Sequence, residues 1–189
     1  MNLLGAIKKR LQSREYEPAQ ALYAAAAEAA RAPTLYADLG APDTVEGRFE
    51  MVTIHVYLIL RRLRSFQTDP SRKMAQAVLD VFMDDMDDSL RELGVGDMSI
   101  ARKIRKMAEN FYGSIGAFED ALKPTAPPSD LATAIARNVF ESSDVSRGTA
   151  LAGYVRHTEA AIAEQREANL LAGRVSFASA FGVNHNDKG

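Results

Sequence analysis

Met51-Val52-Thr53-Ile54-His55-Val56-Tyr57-Leu58-Ile59-Leu60 runs directly into Arg61-Arg62-Leu63-Arg64. From Phe49 onward the pattern is apolar on nearly all sides, and a helix of that kind in a soluble chain belongs at the centre of a bundle. The three arginines then fall at its C-terminal end, where cations complement the helix dipole. Ten residues are too few to cross a bilayer as a helix, which takes ~20.

The flanking sequence reads the same way, with apolar residues recurring every three or four positions and little strand-like alternation. Upstream, an alanine-rich helix is expected over about Glu17 to Arg31, opened by Pro18 in its first turn and stopped by Pro33. A short segment, Pro33 to Gly40, follows, and Asp43 and Thr44 offer N-caps for the central helix. Downstream, a helix over roughly Ser71 to Leu93 has Leu79, Phe82, Met83, Met86, Leu90 and Leu93 on one stripe, with Gly94 as its stop. The next helix, capped by Asp97 or Ser99, carries the clearest stripe: Ile100, Ile104, Met107, Phe111, Ile115, Phe118 and Leu122. Gly113 and Gly116 in it mark a bend or a close crossing. Beyond the proline-rich stretch Lys123 to Ser129, helices are expected at about Asp130 to Glu141 and Thr149 to Leu171. The fold class is all-α: one compact bundle of six to seven helices over residues 16–172, with a basic arm at 1–15 and a flexible tail at 173–189. The roughly 45 helical residues after the linker are too few for a core of their own.

Composition excludes several functions. The 189 residues carry 23 Lys plus Arg against 25 Asp plus Glu, a formal charge of −2, unlike the basic balance of a dedicated DNA or RNA binder. There is no Cys, hence no disulfide framework, thiolate metal site or cysteine catalysis. In the amino-terminal arm Leu3, Leu4, Ile7 and Leu11 share a helical face beside Lys8, Lys9, Arg10 and Arg14. Such an arm either rests on an anionic membrane surface or docks on the domain by that stripe.

Chemistry-bearing constellations are sparse. His55 lies in the most apolar helix with no acidic or histidine neighbour at i±3 or i±4, the setting of a core histidine. His157 is two residues from Glu159, on a different helix face, and His185 falls in the tail. No carboxylate–histidine metal motif, nucleophile elbow or glycine-rich phosphate loop occurs, so neither a metal nor a cofactor is expected. Asp84-Asp85-Met86-Asp87-Asp88 lacks the glycine of a calcium loop and lies mid-helix. An enzyme acting on a lipid or isoprenoid is the second reading, because Asp84 and Asp88 share a face; the second aspartate-rich helix it needs is missing.

Charge is segregated along the chain. Asp80 to Glu92 holds six acidic residues and one basic, and Arg102, Lys103, Arg105 and Lys106 follow. Arg61, Arg62 and Arg64 form a second basic group. Either these groups pair between adjacent antiparallel helices, or they form a docking patch for a protein or RNA.

Several stretches resemble one known family, the ubiquinol–cytochrome c chaperones. They are Leu35-Tyr36-Ala37-Asp38-Leu39-Gly40, Asp43-Thr44-Val45-Glu46-Gly47-Arg48-Phe49-Glu50, and His55 through Arg61-Arg62-Leu63-Arg64. Phe82-Met83-Asp84-Asp85-Met86-Asp87, Leu90-Arg91-Glu92-Leu93-Gly94-Val95-Gly96-Asp97 and Ala108-Glu109-Asn110-Phe111-Tyr112-Gly113 match as well. The resemblance spans residues 20–170 and implies a compact bacterial member. It implies a non-enzymatic chaperone that binds newly made cytochrome b near the ribosome exit, with a small partner, and supports bc1-complex assembly. Relatives often carry Trp in the central and acidic helices, and this chain has none. An apolar client calls for an exposed apolar groove. Its candidate residues are those left once each helix buries its main stripe: Leu35, Tyr36, Leu39, Val45, Phe49 and Tyr112. The basic residues Arg61, Arg62, Arg64, Arg102, Lys103, Arg105 and Lys106 would meet the ribosome or an acidic partner. The expected location is the cytoplasm, peripheral to the inner face of the membrane, with no specific DNA binding.

Overall fold

A computed structural model describes residues 15–92 and 97–178. The arm at 1–14, the Gly94 stop and the tail from 179 lie outside the described residues. The described residues hold eight helices and no strand: α1 (Tyr16–Ala30), α2 (Pro33–Ala37), α3 (Val45–Ser65), α4 (Asp69–Glu92), α5 (Asp97–Ala121), α6 (Pro128–Asn138), α7 (Ser146–Ala163) and α8 (Glu167–Leu171).

Helix α3 is the axis of the bundle. Thr44 caps it by accepting a hydrogen bond from the Gly47 amide at 3.0 Å. Every residue from Thr53 to Leu60 is buried, as are Met51 and Leu63. Helices α1, α4, α5 and α7 surround it. Rings join α3 to two of them: Phe49 stacks on Phe82 of α4 at 6.0 Å, and Phe82 packs on Phe111 of α5 at 4.8 Å. Helix α4 runs antiparallel to α3, and α5 returns parallel to it. The pairs Glu50–Ser114 and Tyr57–Glu119 therefore climb both helices in the same order.

The structure revises three sequence expectations. The helix expected over Thr149 to Leu171 is broken between α7 and α8. Arg62 donates two hydrogen bonds, of 3.1 and 2.6 Å, to the Gln165 carbonyl, drawing it out of the helical ladder. Glu167 then accepts hydrogen bonds from Thr68 and Ser71 at the start of α4, which anchors α8 there. Second, the expected tail begins too early. The Gln165 side chain brackets Ser176, accepting from its amide and donating to its carbonyl, and the Phe177 ring meets the His55 ring at 5.1 Å. Third, α5 runs unbroken through Gly113 and Gly116, and a Cβ at either would meet nothing within 4 Å. Neither glycine marks a close crossing.

The glycine that does permit one is Gly148 on α7. A Cβ there would lie 2.1 Å from the Ala132 carbonyl oxygen of α6. Gly148→Ala is therefore expected to force the α6–α7 hairpin apart and destabilise the protein by about 2 kcal/mol or more. Gly113→Ala and Gly116→Ala are expected to stabilise it by roughly 0.5–1 kcal/mol each, because open helix positions favour alanine. Urea denaturation of the three variants checks both signs.

Candidate functional site

The two basic groups have different fates. Arg61, on the last turns of α3, is drawn into the structure. It donates to Glu119 at 2.6 Å, to Glu159 at 3.2 Å and to the Leu122 carbonyl at 3.1 Å, tying α3 to α5 and α7. Glu119 also accepts from the Tyr57 hydroxyl at 2.8 Å. Despite some desolvation, the Tyr57 hydroxyl and the Arg61 guanidinium hold the Glu119 carboxyl below its ordinary range. Arg62 lies 4.2 Å over the Phe66 ring while it holds Gln165. Only Arg64 of the three is exposed. All three line a cleft of about 490 Å³ together with Leu58, Glu119, Glu159 and Ile162. Arg61 and Arg62 are thus structural ties first. Nothing local to Arg61 marks Glu119 and Glu159 as its partners, since both lie more than 50 residues away.

The other group stays outside. Arg102, Lys103, Arg105 and Lys106 on the N-terminal half of α5 are all exposed. None forms an ion pair among the described residues. Arg102 precedes the buried Phe111 by nine residues, two and a half turns, which puts it on the face of α5 opposite that ring. On α4, Asp85 accepts a 2.5 Å hydrogen bond from Tyr23 of α1, and Asp87 pairs with Arg91 at 2.8 Å. Asp84 is half-buried and Asp88 exposed, and α4 contributes no residue to the arginine-lined cleft. Among the described residues no three His, Asp or Glu side chains gather as a metal site.

The six apolar candidates do not form one groove. Leu35 is fully buried and offers nothing to a client. Tyr36 is half-buried, its hydroxyl donating to the Ala30 carbonyl at 2.7 Å and its ring facing the Arg48 guanidinium at 5.5 Å. Leu39 and Phe49 pack against the core, Phe49 on Phe82. Val45 and Tyr112 alone are exposed, by 69% and 56%. Tyr112 continues the ring ladder outward, edge-on to Phe111 at 5.5 Å. Burial removes Leu35 from the candidates, while Tyr36, Leu39 and Phe49 keep part of their surface exposed.

Two titratable groups are buried on α3. Since the Met51 carbonyl can only accept, His55 donates from Nδ1 to it at 2.7 Å. Nε2 is then the acceptor for the Tyr154 hydroxyl of α7, also at 2.7 Å. This is the core histidine the sequence led us to expect, and burial lowers its pKa to about 4. Glu50 went unremarked in the sequence, although a carboxylate flanked by Phe49 and Met51 is visible there. Burial raises its pKa to about 7, against a 2.9 Å hydrogen bond donated by Ser114.

A closed helical bundle with an exposed basic helix face and an arginine-lined cleft defines the class: an all-α protein whose distinctive features are surface charge and helix packing. The sequence matches the family model described as ubiquinol-cytochrome C chaperone over residues 37–177, and the chain belongs to that family. It is similar to the structure described as the crystal structure of the Cbp3 homolog from Brucella abortus. Identity is 31%, the TM-score is 0.78, and the match covers 95% of this chain and 98% of that one. No curated protein matches it significantly.

Two expectations follow from this geometry. His55 and Glu50 push stability in opposite directions over nearly the same pH range. With its pKa lowered, His55 costs stability as pH falls from about 6.5 toward about 4; with its pKa raised, Glu50 costs stability as pH rises from about 4.5 toward about 7. Each effect is worth roughly 3 kcal/mol, so together they nearly cancel. Glu50→Gln is expected to leave stability rising with pH between 4 and 6.5, and His55→Leu to leave it falling between 4.5 and 7, as read by urea midpoints across pH. Second, Arg61→Met strands two carboxylates and a carbonyl and is expected to cost about 2 kcal/mol, whereas Arg64→Met costs under about 0.5 kcal/mol. Thermal melts of both variants separate the structural arginine from the surface one.

Proposed function

We propose that this chain is an assembly chaperone without catalytic activity, which binds newly synthesised cytochrome b and supports assembly of the bc1 complex. The observation that carries this reading is the family match, which runs from Ala37 through Phe177 and so takes in α3 to α8 without interruption. No helix among the described residues is long and apolar enough to cross a membrane. A client that is a membrane protein is met at the membrane surface, and in this reading the chaperone works there, at the cytoplasmic side. Val45 and Tyr112 are its apolar client contacts. Arg102, Lys103, Arg105 and Lys106 meet the ribosome or an acidic partner, since exposed cations with no ion pair among the described residues speed encounter with an anionic surface.

In the host, in-cell cross-linking followed by capture of the tagged protein is expected to enrich cytochrome b over other abundant membrane proteins. The double variant Val45→Ser/Tyr112→Ser is expected to lose most of that enrichment while melting like the parent. A deletion strain is expected to accumulate less assembled bc1 complex. Normal assembly in that strain, with no cytochrome b among the cross-links, would remove the proposal.

A further inference from the structure

After α8 the chain crosses the bundle as a short strap. Gly173, at a φ of 75°, turns it beside Pro18 of α1, and the Arg174 amide donates to the Asn169 carbonyl at 2.9 Å. From there burial alternates: Arg174 and Ser176 are exposed, while Val175 and Phe177 are half-buried and packed against the core. A period of two is that of extended chain, with every second side chain turned inward. Extended chain ordinarily pairs its backbone with a neighbouring strand, and no strand is present among the described residues. The side chain of Gln165 takes that part. A primary amide offers one acceptor and an N–H donor, as a peptide group does. Gln165 accepts from the Ser176 amide at 3.0 Å and donates to its carbonyl at 2.6 Å, and nothing in that clamp reads the Ser176 side chain. One residue further on, the Phe177 ring meets the fully buried His55 edge-on, at 5.1 Å.

We infer that the groove under this strap is a docking site for an extended segment of another polypeptide, apolar at alternate positions, and that the strap is its built-in occupant, which such a segment displaces. The groove does not depend on the strap for its polar contacts. His55 keeps its hydrogen bonds to the Met51 carbonyl and the Tyr154 hydroxyl whether or not Phe177 lies on it, so release orphans no atom of that buried set. The hold on the strap is light. Beyond Arg174 no backbone–backbone hydrogen bond fixes it among the described residues, both contacts of the Gln165 clamp are open to water, and its two inward side chains are only half-buried. What is recognised is backbone and spacing, the terms on which a strand is added to an open edge. A helical segment does not fit, since its own ladder consumes the N–H and C=O groups that Gln165 takes. The strap is tethered, so its high local concentration keeps out weak competitors. A segment that fills the places of Val175 and Phe177 more completely displaces it.

Pure full-length protein tests this without any client, so the outcome is independent of the chaperone reading. The probe is the strap's own sequence supplied in trans: a peptide of residues 172–178, titrated into ¹⁵N-labelled protein and followed by NMR. V175S/F177S removes the inward side chains of the resident strap. This variant is expected to bind the peptide, with shifts centred on the Gln165 side-chain amide and the backbone around His55. The parent is expected to bind it at least about tenfold more weakly, because its own strap holds the groove most of the time. Adding Q165A to the double variant is expected to remove the binding. Exchanging Val175 and Ser176 in the peptide, which breaks the alternation, is expected to do the same. Circular dichroism checks that each variant is folded, and F177A replaces V175S/F177S if the double variant is not. Equal affinity in parent and variant overturns the inference, as does a folded variant that binds no peptide or whose shifts lie elsewhere, for example around Tyr112. Binding that survives Q165A or the exchanged peptide overturns it as well.

Discussion

From Met51 to Leu60 helix α3 has no polar face, so each side of that stretch requires a neighbour, and the placement of α1, α4, α5 and α7 follows from covering it. Burial of that kind costs nothing while the side chains are apolar, but α3 also takes polar atoms inside. Three of these find partners on other helices, since a buried donor or acceptor left alone costs about 1–3 kcal/mol; the buried Thr53 hydroxyl has none among the described residues. His55 reaches Tyr154 on α7, Glu50 takes a hydrogen bond from Ser114 on α5, and Tyr57 donates to Glu119 one and a half turns further along α5. Apolar packing chooses the neighbours of α3, and these contacts set how far along it each one sits.

The helices were legible because apolar periodicity is local. A run such as Phe111, Ile115, Phe118 and Leu122 shows its buried side without reference to anything distant. The Thr44 cap and the Pro33 stop were legible for the same reason. The break after Ala163 was not, because it depends on Arg62 reaching a carbonyl 103 positions away. Nor could local pattern show that Ser176 is held by Gln165 and Phe177 by His55. Those contacts belong to the packed chain.

The surface candidates divide on the same line. Setting aside each helix's main stripe and treating the remaining apolar residues as exposed suits helices at the rim of a bundle. Around a buried axis, secondary faces are covered too, which is why Leu35 is in the core and Phe49 is stacked on Phe82 while Val45, at the open first turn of α3, is not. Depth also decides between arginines of identical chemistry. Arg61 emerges where α3, α5 and α7 converge, and a cation at that depth requires the carboxylates of Glu119 and Glu159. Arg102 and Arg105 emerge on the outer face of α5, where water satisfies them and no protein partner is needed.

A net charge of −2 conceals this organisation, because an average has no order in it. Along the chain the acidic run 80–92 precedes the basic run 102–106, and a linear order of that kind has no electrostatic consequence by itself. The hairpin gives it one. Reversing direction between α4 and α5 places the two runs side by side, and packing both helices against the core turns both runs outward. A chain that is nearly neutral overall then carries a surface with strong local charge of both signs.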